Sequence, residues 1–355
     1  MYPYFIQLFI LIYFFYKNET SSKFSFYKVN SKKLLIANLI FVSIFIGFRE
    51  SVGGDWYNYL NIYNESKNLD FFLNVYKRYG IYSFFGLTFG NLNIPVNFTN
   101  YIYSSIFIYG IYEFIKTDRN PYFSLIIFFP IFLIIVGMGF TRQSAAIGIY
   151  LYLISKMKFQ PIFDMVLILF SIFLIHISAV FCILPFFCKY IFNKNNYNLI
   201  FIVIILIILF SIIFIEQIYF YIQYYIYKDV IYSVGAIPRI ILCVIPSIIF
   251  FFNFKFFKEK DNFTIWFFSA LISIIFFLLI MIKSTNPALD RFAFFLIPFQ
   301  AYVYKELLEN IKNKHILVFV KISLVVFYIL IFIFWLKFAI HSKYWLPYMI
   351  NFFLY

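Results

Sequence analysis

FTIWFFSALISIIFFLLIMI, residues 263–282, runs twenty residues without one charge and decides the class of fold. A bilayer core of about 30 Å is crossed by roughly 20 apolar residues in α-helix. Within hydrocarbon the backbone must satisfy its own hydrogen bonds, which a helix does and an open loop cannot. Comparable runs recur at 2–16, 34–48, 97–115, 121–139, 142–155, 161–176, 177–192, 198–215, 239–254, 291–304 and 316–336. The shorter ones must extend into their flanks or sit in thinned membrane. Residues 71–94 are apolar but broken by Lys77, Arg78, Gly80, Gly86 and Gly90, and read as a re-entrant or interfacial outer helix. The expected fold is an all-α polytopic membrane protein of about 12 transmembrane helices plus that outer helix. Residues 1–355 read as a single integral membrane domain.

Composition points the same way. The chain is 64% hydrophobic and 12% charged, with mean hydropathy +0.89, where soluble domains are about a quarter charged. Its net charge of +14 does not indicate a nucleic-acid partner, because the lysines sit in short loops between apolar runs, where cytoplasmic loops carry them. Cys182, Cys188 and Cys243 lie scattered in apolar runs and suggest neither a disulfide framework nor a metal site. Residues 1–16 lack a basic leader and a small-residue cleavage site, so they read as a retained first span.

The segments 17–33, 116–120, 156–160, 189–197, 255–262 and 305–315, with Lys321, hold 18 of the 29 basic residues. That side is assigned to the cytoplasm, which leaves both ends of the chain outside. Arginine sorts the other way. Of six, only Arg119 falls in a cytoplasmic loop, while Arg49, Arg78, Arg142, Arg239 and Arg291 fall at outer ends of runs or in outer segments. Topology rules predict the opposite, so a partner on the outer side is the expected reason. A guanidinium at a helix end snorkels toward water or a cavity, stays charged, and makes a planar fork that fits phosphate. Several converging there suit a lipid-linked diphosphate, either bound or leaving. The plainer reading has each arginine anchor its helix to headgroups or pair with a nearby acid, as Asp290 could with Arg291.

GFRESVGGDWYNYLNIY, residues 47–63, concentrates charge, turn-forming glycine and aromatic rings at that outer edge. Asp55, Glu50 and Asp290 are its nearest carboxylates. A carboxylate such as Asp55 could take the proton of an attacking sugar hydroxyl, or simply brace the Gly53-Gly54 turn. His176, in LIHISAV beside Ser178, could act as base or phosphate ligand, or be a structural histidine between helices. Trp56, Tyr57, Tyr59 and Tyr63, with the aromatic loop 216–238, offer rings that could stack on sugars or form an interfacial belt. Acid pairs, His/Cys clusters, phosphate-cradling glycine loops and nucleophile elbows are missing from the sequence. The expected chemistry therefore needs neither metal nor nucleotide, and no cofactor.

The run Arg49 to Tyr59, R-E-S-V-G-G-D-W-x-x-Y, closely resembles the R-x-x-x-G-x-D-x-x-x-Y signature of EpsG-like proteins, a branch of the Wzy-type polysaccharide polymerases. T-R-Q-S-A-A (Thr141 to Ala146), the His-x-Ser of His176 and Ser178, and D-R-F-x-x-F around Arg291 are similar to further family marks in the same order. The resemblance implies a GT-C-like glycosyltransferase that joins undecaprenyl-diphosphate-linked oligosaccharide repeat units on the outer face of the bacterial inner membrane. The products would be O-antigen of lipopolysaccharide, capsule or exopolysaccharide, and a Wzz-type chain-length regulator is the implied protein partner. On this reading Arg142, Arg239 and Arg291 bind the donor diphosphate, and Arg49 and Asp55 shape the acceptor side. Asp55 or His176 takes the proton, and Arg78, Trp56, Tyr59 and Asp290 contact substrate. Two rivals share the lipid-linked substrate. A flippase would spread cations through the depth of a cavity and repeat its halves; a glycan ligase shares the arginine logic.

Overall fold

The computed structural model describes residues 1–20, 25–156, 161–182, 205, 208, 211–212, 215–223, 233, 235–282 and 287–352. Among them the fold is all-helical, and the one non-helical pairing is an isolated antiparallel bridge between Arg49 and Ile350. In chain order, α1 is Tyr2–Thr20, α2 Ser25–Gly47, α3 Trp56–Glu65, α4 Leu69–Tyr79, α5 Ile81–Asn91 and α6 Val96–Ile115. Then come α7 Pro121–Gly139, α8 Thr141–Ser155, α9 Pro161–Phe170, α10 Ile215–Ile222 and α11 Ala236–Phe252. The last four are α12 Phe263–Ile282, α13 Pro287–Ala293, α14 Ile297–Asn310 and α15 Lys314–Phe338.

Among the described residues, α7, α12 and α15 are long and apolar enough to cross a membrane. α7 is the hub. Every residue of its hydrophobic window is buried by protein, whereas most of α15 faces outward, as a helix at the lipid boundary does. Pro130, which has no N–H to donate, starts a π-helical stretch at Phe129–Val136 in the middle of α7. Without a hydrophobic drive between helices in lipid, close backbone approach and polar contacts hold such bundles together. α6 and α8 show the first: a Cβ on Gly110 would stand 2.0 Å from the Gly148 carbonyl oxygen. α2 and α6 show the second, through Ser43 against Ser104 (3.3 Å) and Ser105 (3.1 Å).

The interrupted stretch 71–94 is not one helix. It lies across α4 and α5, broken at Gly80, whose φ of +61° admits glycine and little else. The expected runs 177–192 and 198–215 fall mostly outside the described residues.

The charged side chains sort to the two ends of the bundle. At one end Lys321 reaches Glu19 (2.8 Å), Lys305 reaches Asp118 (2.8 Å) and Lys260 reaches Glu306 (2.7 Å). Asn18 at the end of α1 donates to the Arg119 carbonyl there. At the other end the start of α1 meets the C-terminal end of α2 and the segment after α15. Tyr4 Oη donates to the Trp345 carbonyl (2.8 Å), and Tyr348 stacks on Phe45 at 4.3 Å between centroids. Arginine gathers at this second end.

Candidate active site

The site is built where α7 stops. Gly139 closes α7, Phe140 leaves helical geometry (φ −132°, ψ 61°), and Thr141 opens α8. Arg142 therefore sits in the first turn of a helix, where unpaired N–H groups add positive potential to its own charge. It is 4% exposed. Its Nε donates to the Ile175 carbonyl (2.9 Å) and its guanidinium lies over the Tyr79 ring at 5.3 Å.

Arg291 arrives from α13. Its guanidinium lies 3.9 Å from the centroid of Phe140, and Nη2 stands 3.7 Å from Asp55 Oδ2. The Gln143 side chain donates to the Arg291 carbonyl (2.5 Å), tying α8 to α13. Asp55 precedes α3 and makes no side-chain cap to it. The carboxylate is 31% exposed, with protein packed around it. That enclosure raises its pKa above the ordinary carboxylate range, and Arg291 opposes the rise. Tyr59, one turn further along α3, accepts the Arg142 backbone N–H on its hydroxyl (3.2 Å). His176 follows the π-helical turn Ser171–Ile175 that extends α9. Its Nδ1 accepts the Ser178 N–H (3.2 Å) and lies 2.7 Å from Ser178 Oγ. The neutral ring then carries its proton on Nε2.

Four residues singled out in the sequence stand differently from the expectation. Arg49 is 0% exposed and is consumed by the fold. Nε donates to the Val52 carbonyl (2.9 Å), Nη1 to the Ile46 carbonyl (2.6 Å) and Nη2 to Thr141 Oγ1 (2.8 Å). Burial pushes its pKa down to about 10, which leaves it protonated at neutral pH. A guanidinium so enclosed braces the 46–52 turn against α8 instead of meeting an acceptor. Trp56 is buried too, with Nε1 donating to the Arg49 carbonyl (3.3 Å), and so presents no open stacking face.

Asp290 pairs with Arg239 and not with Arg291. Successive helical residues point about 100° apart, so neighbours in sequence cannot face each other. Arg239 Nε reaches Asp290 Oδ1 (2.7 Å) and Nη2 reaches Oδ2 (2.6 Å), a bidentate pair joined by Ser233 Oγ at 2.5 Å from Oδ2. Arg78 is exposed on α4. Tyr57 alone among the aromatic residues named in α3 is exposed; the expected loop 216–238 begins as the helix α10, and its residues 224–232 and 234 lie outside the described residues.

The sequence reading passed over Tyr79 and Phe140, the rings beneath the two arginines, and Gln143, Ser233 and Trp345. Phe140 and Gln143 flank Arg142 and could have been found from that proximity. Trp345 Nε1 donates to the Ile134 carbonyl from 211 residues away, and no local pattern announces such a contact.

Arg142, Arg291, Asp55, Tyr59 and His176 thus come from four separate stretches of chain to one end of the bundle. Arg291 faces the Asp55 carboxylate while Arg142 stands against Tyr59, an arrangement that can bind a polyanion beside a base. No curated protein and no solved structure matches this chain. The family model for the EpsG family matches residues 32–350, and across that span lie all the residues of this site. The chain belongs to the EpsG family, which comprises Wzy-like polysaccharide polymerases.

Proposed function

We propose that this protein polymerises lipid-diphosphate-linked oligosaccharide repeat units at the outer face of the bacterial inner membrane. The growing glycan on undecaprenyl diphosphate is the donor, and the non-reducing-end hydroxyl of a new lipid-linked unit is the acceptor. The observation that carries this reading is the gathering of Asp55, Arg142 and Arg291 about Tyr59, with Arg291 against Asp55 and Arg142 donating its backbone N–H to Tyr59.

Asp55 takes the proton of the acceptor hydroxyl as its oxygen attacks the anomeric carbon of the donor. The bond from that carbon to the diphosphate oxygen breaks, and the electron pair leaves with undecaprenyl diphosphate. Arg142 and Arg291 neutralise the charge developing there; fixed donors aimed at a leaving group act mainly on the transition state. The 3.7 Å separation between Arg291 and Asp55 is loose enough for a diphosphate to draw the guanidinium away, freeing the carboxylate as base. His176 donates through Nε2–H to a phosphate oxygen. Arg239, closed onto Asp290, acts on the arrangement and not on substrate: it sets α13, and with it Arg291. Metal and nucleotide play no part in this scheme. A bundle of about 12 spans in GT-C-like arrangement is the architecture we assign to it.

The test is complementation of cells lacking the gene. Arg142→Ala and Arg291→Ala should leave single repeat units made but abolish polymer, with the protein present in the membrane. Long chains from both variants would end the diphosphate assignment. Single units lost along with polymer would point to transport instead.

A further inference from the structure

The turn that carries Asp55 has little structure of its own. Ser51 and Gly53 take positive φ (55° and 103°), and the chain from Phe48 to Asp55 lies between α2 and α3. Its backbone is met instead by residues 344–351. Glu50 N–H donates to the Met349 carbonyl (3.0 Å), Gly53 N–H to the Tyr344 carbonyl (2.8 Å), and Asn351 N–H to the Phe48 carbonyl (3.0 Å). Trp345 is the keystone. It is buried, its Nε1 donates to the Ile134 carbonyl (3.1 Å), and its own carbonyl accepts from Tyr4 Oη. Its ring fills the space beside Gly139 and Gly54, where an added Cβ would stand 2.8 Å and 3.8 Å from the indole. The indole therefore packs on the end of α7 that sets Arg142 and bounds the space beside Gly54, next to the Tyr344 carbonyl that holds the turn carrying Asp55.

We infer that residues 340–352 form a positioning element of the reacting centre, in which Trp345 holds the Gly53–Asp55 turn at its working distance from Arg291. This rests on the polymerase reading for its consequence in turnover, but its structural half can be read without substrate. Displacement of a reacting group by about 1 Å costs up to about a hundredfold in rate, so loss of the indole should show in turnover before it shows in folding.

The experiment has two arms. In the first, Trp345→Ala is expected to lower polymer per membrane-inserted protein by about a hundredfold, and Trp345→Phe, which keeps a ring but loses the N–H, to recover part of it. In the second, Asp55→Cys is reacted with a membrane-impermeant maleimide across a pH series, alone and with Trp345→Ala or Trp345→Phe. A thiol beside Arg291 ionises at lowered pH; Trp345→Ala should move that profile toward an ordinary cysteine, and Trp345→Phe should move it less. An unchanged profile with Trp345→Ala overturns the inference, as does a changed profile with undiminished polymer. If the profile shifts but the wild-type protein extends no glycan, the polymerase reading fails while the hold on the turn stands. Should Trp345→Ala not accumulate, Asn351→Pro, which removes the N–H donated to Phe48 and stiffens the backbone beside the Arg49–Ile350 bridge, takes its place with the same expectations.

Discussion

At the residue scale, the two arginines most alike in sequence do opposite things. Arg49 and Arg142 both sit at a helix end at the same end of the bundle, yet Arg49 is spent on two carbonyls and Thr141. Deleting it leaves buried acceptors unpaired, at about 1–3 kcal/mol each. Arg49→Ala should therefore lower the amount of folded protein recovered in detergent, as seen by size-exclusion chromatography, whereas Arg142→Ala should leave that amount near wild type and remove activity alone. Asp55 yields a second expectation. A base works only when ionised, and burial raises the Asp55 pKa while Arg291 opposes the rise. Polymerisation should thus fall as pH drops through that raised pKa. Asp55→Asn should reduce the rate by about 10²–10⁴ above that pKa, with a smaller loss below it, and flatten the acidic limb in an in vitro extension assay.

At the element scale, close helix crossings and one buried ion pair carry the arrangement. Gly110 and Gly148 let α6 and α8 touch backbone to backbone, so Gly148→Leu must force the helices apart. Gly90→Ala meets only the flexible Lys67 side chain and serves as the tolerant control. Thermal unfolding in detergent should separate them: a large fall in Tm for the first, little change for the second. The Arg239–Asp290 pair fixes α13 on α11. Removing one partner of such a pair costs about 3–5 kcal/mol because the other charge is stranded, while replacing both by apolar residues of similar size costs far less. Arg239→Leu and Asp290→Leu should each destabilise more than the double variant, a cycle readable by the same melts.

At the scale of the whole molecule, the two ends of the bundle have different chemistry. Lysine–carboxylate pairs from α1, α14, α15 and the loops before α7 and α12 close one end, and the arginine site lies at the other. A helix such as α7, 19 residues long, spans about 28 Å between them, close to one hydrocarbon core. Tyr57→Cys, on an exposed position by the site, should react with an impermeant thiol reagent on intact cells. Asn310→Cys, on the opposite end, should react only after the cells are opened. Labelling in the reverse order would turn the protein over and refute the outer-face site.

Much of this was legible from the chain alone. Long apolar runs announce helices because hydropathy is a sum over neighbours, and the α12 and α15 runs appear in the structure where the sequence puts them. The gathering of arginine at one edge was legible for the same reason, since each lies next to a run whose direction the loops reveal. Which arginine meets which partner was not. The rotation of α13 sends Asp290 to Arg239 and Arg291 to Asp55, and that angle is set by packing against helices far away in sequence. The bracing of the Arg49 turn by residues 344–351 depends on contacts nearly 300 residues apart. Sequence thus determined the long apolar helices and the family, because those follow from local composition and motif. Only the tertiary structure decided which charges are spent on the fold, because burial belongs to the whole assembly of helices and not to any one of them.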